Sequence, residues 1–213
     1  MPLGSTEQHG HHLPFDTDAR VATELAGRLV DRRPDFVLAP ALAYGASGEH
    51  QGFPGTLSLG TEALAVVLVE LGRSASCWAD RLLLVNGHGG NLDGLSFAVR
   101  KLRDEGRDVA YWSAGVRGGD AHAGRLETSL LLALCPEVVR REQARSGPTA
   151  ALAELWSAMR TDGVAAVSPS GVLGDPAGAS AEEGRAMLEE MAGRLDGAVA
   201  GWLAGEAGGR LPA

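Results

Sequence analysis

The chain has 213 residues, 45% of them hydrophobic and 22% charged, with 30 glycines that follow no period, so one sizeable core and a single domain are the default. A formal charge of -8, with no basic run to offset it, argues against a nucleic-acid partner. The absence of an apolar run of membrane-spanning length, of a charged-then-apolar leader and of CxxC spacing for Cys77 and Cys135 predicts a cytoplasmic protein with two buried thiols and no membrane partner.

In chain order, Met1-Pro2-Leu3-Gly4 reads as the end of a strand whose earlier part is missing. It leads into Ser5-Thr6-Glu7-Gln8-His9-Gly10-His11-His12, and Asp18 follows after a Pro-containing turn. In an extended segment Glu7 and His9 leave the same face, so with Asp18 they look like half of a metal site suited to Zn, Mn or Fe(II). The alternative is a polar loop whose histidines cap nearby backbone; three of the six histidines within four residues weigh against it. His11 and His12 are expected to orient His9 and Asp18. A helix over residues 18–33 follows from Val21, Leu25 and Leu29, with Pro34 ending it. Phe36-Val37-Leu38-Ala39 predicts a short buried strand. Residues 40–59 form a long Gly-rich loop, whose Glu49 and His50 are candidate substrate contacts.

A second helix is predicted over residues 61–79, with Leu64, Leu68, Leu71 and Ala75 on its buried stripe. Residues 81–85 are a buried strand running into Asn86-Gly87-His88-Gly89-Gly90-Asn91, followed by a helix carrying Leu95, Val99 and Leu102 and by a strand at Val109-Ala110-Tyr111-Trp112. Such alternation means an α/β layered fold with ligands at the carboxyl ends of strands, where His88 sits. His122 precedes a Gly-containing turn, and Glu127 lies near a helix start, where taken alone it reads as a cap. A helix with Leu152, Leu155, Trp156 and Met159 comes next. After irregular residues 163–179, Ser180-Ala181-Glu182-Glu183 is a capping box opening a last helix to about residue 203, and the tail is expected to fray.

Taken together, Gly4-Ser5-Thr6-Glu7-Gln8-His9-Gly10, Asp16-Thr17-Asp18, Phe53-Pro54-Gly55-Thr56, Asn86-Gly87-His88-Gly89-Gly90-Asn91 and His122-Ala123-Gly124 with Glu127-Thr128-Ser129 resemble the creatininase family of metal-dependent amidohydrolases. Five ordered motifs are far more specific than any one. Tyr44-Gly45-Ala46-Ser47-Gly48-Glu49-His50-Gln51 and Gly171-Val172-Leu173-Gly174-Asp175-Pro176 look like the branch found in mycofactocin biosynthesis, where the family member is a peptidase that trims a modified precursor peptide.

The resemblance implies a single-domain three-layer α/β/α sandwich around a mostly parallel sheet, over residues 1–204 with 205–213 as a flexible tail. It implies two divalent metal ions per chain (Zn, Fe(II) or Mn): Glu7 and His88 on the first, His9 on the second and Asp18 bridging. A metal-bridged hydroxide would attack, with His122 as proton shuttle. Creatininase has a second-metal Glu two residues after the histidine matching His88, where this chain has Gly90, so either Glu127 supplies that ligand or water fills the place. Creatininase also closes its pocket with two tryptophans. Trp112 can match one, as substrate contact or core residue, and Gly118-Gly119-Asp120 leaves no counterpart for the other, which makes creatinine a doubtful substrate and predicts an open pocket. The expected activity is cleavage of a peptide bond near the precursor's C-terminus, and the family's habit predicts a homo-oligomer. An amidohydrolase of a small cyclic amide or formamide is the second reading, and a degenerate, non-catalytic scaffold the third.

Overall fold

In the computed structural model, which describes residues 1–116, 118–150 and 152–213 apart from the side chains of Leu152, Ala153, Trp156 and Arg160, the strands form one parallel sheet. Its order is β1 (Pro2–Leu3), β2 (Arg81–Asn86), β3 (Asp108–Ser113), β4 (Gly209–Arg210), and β2 and β3 pair from Arg81 with Asp108 to Asn86 with Ser113. The helices are α1 (Thr17–Arg32), α2 (Thr61–Ala75), α3 (Leu92–Asp104), α4 (Arg125–Leu134), α5 (Leu152–Asp162), α6 (Val164–Val167) and α7 (Ala181–Leu203). Strand side chains alternate between two helical layers, as a period of two requires. Leu83, Val85, Ala110 and Trp112 pack with Val21 and Leu25 of α1, Leu131 of α4 and Met191 and Leu195 of α7. Leu84, Val109 and Tyr111 face the other way, against Leu64 and Leu68 of α2 and Leu95 and Leu102 of α3. A smaller cluster of Met159, Val164 and Leu173, joined by Phe53 and Leu155, ties α5 and α6 to the long loop.

Half of the predicted capping box is present: Glu183 N–H donates to Ser180 Oγ at 3.1 Å, opening α7, but Ser180 N–H donates to Ser129 Oγ at 3.2 Å, and the Glu183 carboxylate accepts from Ser129 Oγ and Arg125 Nε instead. Helix α5 forms where its apolar residues foretell it, although Leu152 and Trp156 lie outside the described side chains. Several expectations are corrected. Residues 36–39 form no strand, and Val37 is 77% exposed; Leu42 bridges Leu3 instead, so the apolar run is spent on the surface. Helix α2 stops at Ala75, and its buried stripe runs through Leu64, Leu68 and Gly72, leaving Leu71 exposed. The tail does not fray over its whole length. Gly209 and Arg210 pair with β3, Leu211 N–H donates to Tyr111 O at 2.8 Å, and burial of the Leu211 side chain supplies the apolar gain that holds the segment. Cys135 is buried as expected, but Cys77, just past the end of α2, is exposed.

Trp112 is fully buried in the sheet's α1/α4/α7 face, so it is a core residue with no surface to offer a substrate. Trp112→Ala is therefore expected to lower the unfolding free energy by about 3–5 kcal/mol in denaturant titration, the range for removing a large aromatic side chain from a packed core.

Candidate metal centre

The carboxyl ends of β1 and β2 and the amino end of α1 meet at one place. Gly4 and Gly87 make this possible, because a Cβ on Gly4 would lie 2.5 Å from Ala19 Cα and one on Gly87 would lie 2.5 Å from Asp18 O. The first turn of α1 therefore seats directly on the strand ends and delivers Asp18 between them. Asn91 clips the layers together: its Nδ2 donates to Gly4 O at 2.9 Å and to Asn86 Oδ1 at 3.0 Å, and its Oδ1 accepts from Ala46 N–H at 2.8 Å. Asn86 Nδ2 in turn donates to His88 O at 2.8 Å.

Asp18 spans two groups of side chains. Its Oδ1 lies 3.2 Å from His9 Nε2, and its Oδ2 accepts from Ser5 Oγ and lies 3.3 Å from His88 Nδ1. On the first side, Glu7 Oε2 is 3.2 Å from His88 Nε2. On the second, Glu127 Oε2 is 3.7 Å from His9 Nε2. Glu7–Asp18–His88 and His9–His122–Glu127 each bring one ligand atom per residue within 4.8 Å of the others, and so does Glu7–His50–His122. The sequence-predicted residues Glu7, His9, Asp18, His88, His122 and Glu127 are thus brought together.

With its imidazoles neutral, this arrangement lacks positive charge. His9 Nδ1 donates to Glu7 O at 3.1 Å, which leaves Nε2 with a lone pair aimed at the Asp18 and Glu127 carboxylates. Glu7 is fully buried, and neither of its carboxylate oxygens has a hydrogen-bond partner among the described residues. Buried acceptors facing one another are costly unless a proton or a cation lies between them. The donor set of imidazole and carboxylate fits Zn, Mn or Fe(II).

The pKa shifts follow from the same crowding. Burial opposes charge on His9 and His88, but Asp18 and Glu127 around the first, and Glu7 and Asp18 around the second, outweigh it and push each up to about 10. Asp18 is held well below the usual carboxylate range: burial works against it, and the His9 and His88 imidazoles overcome burial. Glu7 and Glu127 are both pushed up, chiefly by burial. His122 goes the other way, depressed by burial and then by the neighbouring His9 and His50, so it is a neutral base at pH 7. The metal-free protein should therefore lose stability as pH rises. Below the ordinary histidine value of 6.5 the stabilisation from protonated His9 and His88 is present in full; as pH rises toward 10 the folded chain keeps protons that the unfolded chain has released, and the stabilisation is lost. The melting temperature in chelator should therefore fall from pH 7 to 10, and added Zn or Mn should remove that slope by replacing the protons, as a pH series of thermal scans will read.

Glu127 also serves locally, accepting from Ala123 N–H at 2.6 Å, while Ala123 holds a positive φ of 52°. The cap of α4 comes from Asp120, whose carboxylate accepts from Arg125 N–H and, at 3.1 Å, from Leu126 N–H; the Glu127 Oε2 that accepts from Ala123 N–H also faces His9. His12 does not orient His9 or Asp18. It hydrogen-bonds Thr128 at 2.9 Å, His11 is exposed, and Glu7 O and Ser5 take the orienting roles. The loop turn at residues 48–50 brings Glu49 and His50 to the site: Glu49 Oε1 lies 3.5 Å from His88 Nε2, and His50 Nε2 lies 3.5 Å from Glu7 Oε1. Gly90 does not open the pocket, since a Cβ there would meet His88 Nε2 at 2.5 Å and Glu49 Oε1 at 2.6 Å; the loop fills the space that a side chain at 90 would take.

The sequence profile described as creatinine amidohydrolase matches residues 1–199. The chain belongs to the creatininase family. Among curated members of that family, it is 56% identical over 216 residues to a mycofactocin precursor peptide peptidase of Mycobacterium ulcerans, covering 98% of this chain and 86% of that one. It is 32% identical to the creatinine amidohydrolase of Pseudomonas putida, covering 89% and 83%. A crystal structure of creatininase superposes with a TM-score of 0.74 at 28% identity, covering 93% and 88%. A manganese form and a mutant described as Zn-Zn type superpose equally well, at 0.75. Creatininase-family structures with Zn and Mn agree with the donor chemistry of the cluster here. As a member of this family the chain is a hydrolase of C–N bonds.

Proposed function

We propose that this protein is a metal-dependent peptidase that hydrolyses one peptide bond near the C-terminus of a modified precursor peptide in mycofactocin biosynthesis. The observation that carries this reading is the 56% identity, over 98% of the chain, to a mycofactocin precursor peptide peptidase. Glu7 and His88 would hold one divalent ion, His9 and Glu127 a second, and Asp18 would be shared. Ions bound there would polarise the scissile carbonyl and lower the pKa of an attacking water toward neutrality. His122 moves the proton. Its Nε2–H donates to Gln8 O at 2.7 Å, so the basic Nδ1 faces the site, 3.6 Å from Glu7 Oε1. It takes the proton that the attacking water loses and hands it to the departing amine.

No described helix is long and apolar enough to cross a membrane. A cytoplasmic homo-oligomer completes the reading. Two free cysteines support the compartment, and the exposed side chains of Val37, Leu57, Val66 and Trp78 support assembly; light scattering reads the latter.

The test is incubation of metal-replete protein with the modified and the unmodified precursor peptide, followed by mass spectrometry. A small C-terminal fragment should leave the modified peptide, and chelator should suppress it. Equal cleavage of both peptides sinks the recognition claim. Turnover of creatinine or a formamide without peptide cleavage gives the assignment to the small-amide alternative.

A further inference from the structure

Gln8 lies between two histidines and fixes the proton of each. Its side chain is buried, and backbone groups of opposite kind set its amide: Gly10 N–H donates to Oε1 at 2.9 Å, and Nε2 donates to Gly171 O at 3.2 Å. Gly171, at φ +77°, has no room for a Cβ beside that amide. The other amide hydrogen points at His50 Nδ1, 2.8 Å away. An amide NH2 only donates, so Nδ1 carries a lone pair and the proton of His50 is on Nε2. Both amide hydrogens are then spent, and the 3.3 Å approach of Gln8 Nε2 to His122 Nε2 carries none. His122 has its proton on Nε2 as well, because that atom faces the Gln8 backbone carbonyl, which only accepts.

The two rings lie 4.3 Å apart between centroids, and their free edges converge on Glu7 Oε1, His50 Nε2 at 3.5 Å and His122 Nδ1 at 3.6 Å. One edge is a donor and the other an acceptor. Two things follow. The Glu7–His50–His122 group has ligand spacing, but His50 turns a proton rather than a lone pair to it, so it is not a third ion site. The donor edge is also buried, at 3% residue exposure, where a neutral N–H is worth most against developing negative charge.

We propose that His50 is a second catalytic residue, donating a hydrogen bond from Nε2 to the substrate oxygen as charge builds there, and that Gln8 is the positioning residue that holds it in this tautomer. The inference rests on the proposed peptide hydrolysis. In that reaction the bond from water oxygen to the carbonyl carbon forms as the carbonyl π pair moves onto its oxygen. The C–N bond then breaks as the amine receives the proton carried by His122, and His50 loses no proton.

The test combines a spectroscopic and a kinetic measurement on the full chain. Long-range 1H–15N spectra of the imidazoles, with His50→Gln to assign the missing signal, should show His50 and His122 as Nε2–H tautomers in both metal-free and zinc-loaded protein. Gln8→Glu, which puts an acceptor against Nδ1, should move the His50 proton to Nδ1. His50→Phe should keep the wild-type metal content, lower kcat about 10²-fold and leave KM near its original value, as for loss of one oxyanion donor. His50→Gln keeps an N–H and should recover at least about tenfold of that loss. An Nδ1–H tautomer in the wild-type protein, loss of an ion in His50→Phe, or unchanged kcat would each overturn the proposal. If the wild-type protein cleaves no peptide, the proposed function fails and the catalytic role of His50 with it; the tautomer spectra then judge Gln8 by themselves.

Discussion

Asp18→Ala is expected to yield protein that carries neither ion and cleaves no measurable peptide. One oxygen of this carboxylate faces His9 and the other faces His88, so removing it takes a ligand from both groups at once. It also leaves two buried imidazoles without the carboxylate that they share. His9→Ala, by contrast, touches one group and should deplete mainly one ion. Elemental analysis after gel filtration reads both variants. Because metal-supplied charge stabilisation is worth several kcal/mol, the fall in turnover for Asp18→Ala should be about 10³-fold or more. Retention of the wild-type metal load would remove Asp18 from its shared position.

His122→Ala should behave differently, keeping both ions while losing about 10²–10⁴ of the rate, the usual contribution of a positioned acid–base group. The reason is geometric. His122 spends its Nε2–H on Gln8 O, and its Nδ1 faces the site from a ring tilted against His9, with the centroids 4.3 Å apart. Depression of its proton affinity by burial and by His9 leaves it neutral and able to accept at pH 7. Loss of an ion together with activity would make His122 a ligand of the His9–Glu127 group instead, and an unchanged rate would take it out of the reaction.

Much of this was legible in the sequence because it is local. The strand–helix alternation around Arg81–Asn86 and Asp108–Ser113, and the donor types at Glu7, His9, Asp18, His88 and His122, are carried by short motifs whose spacing is their message. The supporting residues were not legible, although they sit inside the same motifs. Ser5, Gln8, Asn86 and Asn91 act on backbone or side chains brought near by folding: Gln8 reaches Gly171, and Asn91 reaches Gly4. Spacing along the chain holds no record of such pairs. Glu127 shows the same limit. Near a helix start a carboxylate is a plausible cap, and only the fold reveals that Asp120 already caps α4. Phe36-Val37-Leu38-Ala39 misleads for another reason, since a four-residue apolar run is equally at home on a surface, and of the two readings that the sequence leaves for Trp112, contact or core, burial selects core.

Peptide cleavage should depend on the two side-chain groups that Asp18 joins. The most direct test of that dependence is to strip the protein with chelator, titrate back Zn or Mn against a fixed amount of modified peptide, and follow the released fragment by mass spectrometry alongside metal content. Cleavage should be absent from the stripped protein, rise with added ion and level off at two equivalents per chain. Full cleavage by stripped protein, or no cleavage once two ions are bound, would contradict it.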